Sequence, residues 1–171
     1  MQIIKTWLPA LTGMCCMAFG SGIMSIYGFF VEPLSQEFGV GAAVLNTGPI
    51  ALLLVPALLG ALIGKLADRL PVRNIMLAGA AIGMFALIGI GQAPTLVWIA
   101  VGFVIFSLGM SMYGPVVVNG MLVKLYSGRE ARALALAAIG VSLAAITLPP
   151  LIGSLLAHFD WRLALQILAA G

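Results

Sequence analysis

Long uncharged apolar stretches alternate along this chain with short polar or basic breaks. The first stretch runs from about Trp7 to Val31, and Glu32-Pro33-Leu34-Ser35-Gln36-Glu37-Phe38-Gly39 closes it as a polar turn. Four more cover about 43–64, 75–91, 96–123 and 133–157. Each reaches or approaches the ~20 residues that cross a ~30 Å hydrocarbon core at ~1.5 Å per residue. Pro49, Pro56 and Pro115 fall inside stretches, which neighbouring helices accommodate in a bilayer. Gln92-Ala93-Pro94-Thr95 is short and uncharged, so the third and fourth crossings form a tight hairpin. A sixth apolar run begins at Leu163, and the chain stops at Gly171. Those residues reach only ~14 Å, so the pattern predicts a crossing cut off in mid-helix. Residues 1–171 thus read as one all-α membrane bundle of five complete spans and the start of a sixth.

Composition removes the alternatives to a membrane protein. Of 171 residues, 63% are hydrophobic and 8% charged, and mean hydropathy is +1.19. A soluble domain has roughly half and a quarter in those classes. Eight basic and five acidic side chains can neither cover a water-soluble surface nor solvate a disordered chain of this length. The net charge of +3 gives no sign of a nucleic-acid partner.

The positive charges report orientation instead. With a cytoplasmic N-terminus, Lys5, Lys65, Arg69, Arg73, Lys124, Arg129 and Arg132 fall inside, and Arg162 alone falls outside. That asymmetry predicts a multi-pass protein of the plasma or inner membrane with its N-terminus in the cytoplasm. Cys15 and Cys16, adjacent in an apolar run, suggest neither a disulfide nor a metal site. No span interior carries a charged residue, and His158 lies at an outer boundary. With no paired carboxylates, metal-ligand cluster or nucleophile–base pair at depth, the sequence indicates no enzyme chemistry, no cofactor and no metal.

The second-to-third connection reads Gly64-Lys65-Leu66-Ala67-Asp68-Arg69-Leu70-Pro71-Val72-Arg73-Asn74. It resembles the signature between helices 2 and 3 of the major facilitator superfamily, matching at Gly64, Asp68, Arg69 and Arg73. Pro71 stands in place of the usual glycine and Asn74 in place of the last basic residue. The resemblance implies the N-terminal six-helix half of a secondary transporter whose C-terminal half is missing. It also implies a cytoplasmic gate, with Asp68 facing a helix N-terminus of the opposite half and Arg69 and Arg73 completing a latch.

Ser25-Ile26-Tyr27-Gly28-Phe29-Phe30 with Pro33-Leu34, Gly109 to Gly114-Pro115, Arg129 to Ala135, and Trp161-Arg162 are similar to the monocarboxylate-porter and oxalate:formate-antiporter branch. That likeness implies a small organic anion as solute. Helix 4 lacks the arginine that many superfamily members link to proton coupling, which suits the anion porters. The competing readings are a drug or sugar porter of the same superfamily, a self-pairing small transporter or channel, and a non-transporting scaffold.

In that fold helices 1 and 4 line the central cavity, so their polar residues become solute-contact candidates. Ser107, Ser111 and Asn119 recur at multiples of four, with Pro115 completing the series, as a drifting stripe on helix 4. Tyr113 points elsewhere. Gly13, Gly20 and Tyr27 share a face of helix 1, which puts a hydroxyl above small residues. Gly60 with Gly64 and Gly79 with Gly83 read as packing seams. Glu32 and Glu37 read as boundary charges, and Trp161 as a headgroup-level anchor.

Overall fold

The computed structural model describes the backbone of residues 2–170 and the side chains of residues 7–169. The Lys5 side chain, counted above for orientation, lies outside the described residues. The described chain is helical: α1 (Gln2–Phe38), α2 (Ala42–Leu45), α3 (Gly48–Arg69), α4 (Val72–Gly91), α5 (Leu96–Tyr113), α6 (Pro115–Leu125), α7 (Glu130–His158) and α8 (Trp161–Ala170). Five crossings are long and apolar enough to span a membrane: α1, α2 with α3, α4, α5 with α6, and α7. A backbone in hydrocarbon must satisfy its own N–H and C=O groups, and a helix does so locally.

Helix ends follow local chemistry, and several differ from the apolar boundaries. The Glu32–Gly39 segment is not a turn, because α1 continues to Phe38 and stops where Gly39 adopts φ +62°. Only a residue without Cβ enters that left-handed region freely. The polar residues of the segment do not break the helix, since Gln36 Nε2 donates to Glu32 Oε1 at 2.8 Å, one turn away. The second crossing is interrupted at Asn46–Thr47, and its helix runs on through the basic segment to Arg69. The fourth crossing is two helices, separated at Gly114 and restarting at Pro115.

α1 packs along α7, α4 along α5, and α3 also lies on α5, with α8 against α4. Two apolar clusters fill the interior. One, at the end bearing the α4–α5 turn, holds Ile26, Leu34, Leu87, Ile90, Phe106 and Ile152. The other, at the basic end, holds Ala10, Met17, Val117, Val118, Leu122 and Ala137. Outside, α3 presents Leu53, Leu58 and Leu62 and α7 presents Ile139 and Ile146, all exposed. Such faces suit lipid or a neighbouring bundle rather than water.

Candidate functional site

Asp68 lies on the last turn of α3, and Lys124 on the last turn of α6. Lys124 Nζ donates to Asp68 Oδ1 at 2.6 Å, with the two side chains 60% and 66% exposed. The pair sits at the mouth of a cavity of about 140 Å³ bounded by Gly64, Ala67, Val72, Val116 and Gly120. A methyl group on Gly64 would make only ordinary contact with Val116, at 3.7 Å. Arg69 and Arg73 are exposed, and among the described residues neither has a carboxylate partner. Sequence reasoning treated Lys124 only as a topology charge. Its position at the end of the fourth crossing, level with the Asp68 segment, was the signal that could have found it.

The four solute-contact candidates separate. Tyr27 is buried; its hydroxyl donates to the Leu45 carbonyl at 2.5 Å and its ring meets Phe103 edge-on at 5.3 Å. It borders a cavity of about 150 Å³ with Leu34, Thr47, Gly48 and Ile99. Ser107 is fully buried, and its Oγ donates to the Ala51 carbonyl at 3.0 Å and the Leu52 carbonyl at 3.4 Å. Pro56 has no N–H to offer Leu52 four residues earlier, so the serine serves a carbonyl that the α3 ladder leaves open. Ser111 Oγ donates to the Ser107 carbonyl at 2.8 Å. Asn119 is exposed on α6. The structure therefore brings Ser107 and Ser111 together on the face toward α3, and the break at Gly114 sets Asn119 apart from them.

A second polar cluster, at the opposite end, went unrecognised in the sequence. Arg162 Nη2 pairs with Glu37 Oε1 at 2.5 Å, and Arg162 Nη1 donates to the carbonyls of Ala93 at 2.9 Å and Gly91 at 3.4 Å. Trp161, read from the sequence as a headgroup-level anchor, is packed inside the bundle. Its side chain is 3% exposed, and its indole N–H donates to Glu37 Oε2 at 2.6 Å. The ring belongs to the apolar cluster that holds Leu34, Ile90 and Ala93, and the acid satisfies its only polar atom. Glu37 is thereby a structural partner rather than a free boundary charge. The Arg162 guanidinium also lies 4.6 Å from the Trp161 ring centre.

The arrangement offers a reversible ion pair beside a small cavity at one end, a tied rim at the other, and a broken crossing between them. A search of curated proteins finds no match. The family model described as Major Facilitator Superfamily matches residues 10–171, a stretch that takes in the Gly64–Asn74 segment and the apolar crossings except the first residues of α1. By that match the chain belongs to the major facilitator superfamily, as a multi-pass membrane transporter.

Proposed function

We propose that this chain forms one six-helix bundle of a secondary transporter that carries a small organic anion, such as a monocarboxylate, by alternating access against a second bundle. The basic end is its cytoplasmic rim. The observation that carries the gating role is the Asp68–Lys124 pair inside the signature segment. A pair this exposed contributes only about 0–1 kcal/mol. Asp68 can therefore leave Lys124 for a helix N-terminus of the second bundle at little net cost, as a latch that cycles requires. Arg69 and Arg73 are exposed for ion pairs across the same interface. Of the four candidates, Asn119 presents an exposed side chain and is the solute contact in this reading. Tyr27 and Ser107 tie helices together, and Ser111 bonds back within α5. The anion preference rests on the residue pattern of the first crossing and on a fourth crossing without an interior basic residue.

Uptake by the full-length protein in vesicles tests both parts. Asp68→Asn is expected to reduce uptake about tenfold, equivalent to ~1.4 kcal/mol of gate free energy, with membrane insertion unchanged. Exchanging the charges, Asp68→Lys with Lys124→Asp, is expected to recover part of the loss. Unimpaired uptake by Asp68→Asn removes the latch. Saturable uptake of a sugar or lipophilic cation, with none of any short-chain carboxylate, moves the protein to the sugar or drug porters instead.

A further inference from the structure

The bundle is fastened as two blocks. Close backbone approach zips α4 to α5, since a methyl group on Gly109 would lie 2.7 Å from the Gly79 carbonyl oxygen and 2.8 Å from the Gly83 nitrogen. The Ser107 hydroxyl ties the same part of α5 to α3. α1 and α7 are zipped separately, where a methyl group on Gly140 would come within 2.1 Å of the Met14 carbonyl oxygen. α6 sides with this second block. A methyl group on Gly13 of α1 would meet Val118 at 2.8 Å, Leu122 at 3.6 Å and Ala137 of α7 at 3.7 Å. Toward α3, α6 presents Val116 to Gly60 and Gly64, the exposed Asp68–Lys124 pair, and Val117 and Leu122 in the apolar cluster that includes Ile63, with no close backbone approach.

The fourth crossing thus changes partners at Tyr113–Gly114–Pro115. Gly114 is extended there, with φ −78° and ψ −170°, and Pro115 has no N–H with which to close on the Ser111 carbonyl. Tyr113 is 3% exposed, and its hydroxyl is the one buried side-chain polar atom without a hydrogen-bond partner among the described residues. A hydroxyl buried in this way disfavours the conformation that buries it. Its ring edge lies over Gly20 of α1. Beside it a cavity of about 110 Å³ is bounded by Cys16, Met17, Gly20, Met110, Gly114 and Pro115.

From these observations we infer that Tyr113–Gly114–Pro115 is a hinge within the bundle. About it, α6 with α1 and α7 tilts against the block of α3, α4 and α5, and the tilt opens the adjacent cavity and gives the Tyr113 hydroxyl water to bond. This goes beyond two bundles rocking as rigid bodies, and it holds whatever the solute is. The closed state described here leaves the hydroxyl unpaired and the tilted state pairs it. Removing the hydroxyl therefore shifts the balance toward the closed state.

Cys16 reports the opening. In the full-length protein in lipid nanodiscs, carrying Cys15→Ser, its alkylation by N-ethylmaleimide is followed by peptide mass spectrometry. Tyr113→Phe is expected to slow alkylation about tenfold and to leave the thermal midpoint equal to or above that of the parent. Pro115→Ala, which restores an N–H across the break, is expected to slow it as well. An alkylation rate in Tyr113→Phe that is unchanged or faster overturns the hinge. A lowered midpoint also overturns it, since the hydroxyl would then be bonded in the closed state.

Discussion

Ser107 illustrates how a polar residue in a membrane helix is committed by its neighbours. Its hydroxyl bonds main-chain carbonyls of α3 next to Pro56, and Ser111 bonds back to Ser107. Losing the Ser107 hydroxyl leaves the Leu52 carbonyl, which Pro56 cannot serve, without a donor, and this costs about 1–3 kcal/mol. Ser107→Ala is therefore expected to lower the unfolding free energy of the detergent-solubilised protein by that order, read from thermal or denaturant unfolding. Its KM for solute should stay at the parent value, because the side chain faces α3. Helical spacing alone had grouped Ser107, Ser111 and Asn119 as one cavity stripe. Spacing measures angle along an unbroken helix, and Gly114–Pro115 ends that helix between the second and third members. The Gly64, Asp68, Arg69 and Arg73 segment was legible residue by residue, whereas the lysine that engages Asp68 was not.

Among the elements, the 10-residue α8 is fastened at its start. Arg162 holds it to the end of α1 through Glu37 and to the α4–α5 turn through the Gly91 and Ala93 carbonyls, and the Trp161 indole adds a second bond to Glu37. Asp160 starts the helix by accepting from the Trp161 N–H at 3.0 Å. Arg162→Gln keeps a donor but cannot span three acceptors at once. It is expected to speed amide hydrogen exchange in α8 selectively, with α1 and α7 protected as before, and to cost about 1 kcal/mol globally because the pair is partly exposed. Uniform exchange across all helices would contradict the clamp. Existence and order of the helices were readable from apolar length. Their ends were less so: α1 outruns its apolar stretch to Phe38 and α3 runs on to Arg69, because polar and charged residues sustain a helix once it leaves the hydrocarbon.

For the whole molecule, the charges decide how the bundle lies. Lys65, Arg69, Arg73, Lys124, Arg129 and Arg132 cluster at the helix ends around the α3–α4 and α6–α7 connections, and Arg162 is at the opposite end, engaged by Glu37. In inside-out vesicles of the full-length protein, a protease is expected to cut in the 126–129 turn, and in right-side-out vesicles to leave it intact. The reverse pattern would invert the proposed orientation and place the Asp68 gate outside. The number of crossings, their order and the charge asymmetry between the two ends were fixed by sequence alone, since apolar length and connection charge are local quantities that a bilayer reads directly. The partners were decided only by tertiary structure: Lys124 for Asp68, the Ala51 carbonyl for Ser107, the Leu45 carbonyl for Tyr27, and Arg162 with Trp161 for Glu37. Those choices depend on how each helix is rotated and where it breaks, and rotation is set by glycine seams and side-chain packing between segments far apart in the chain.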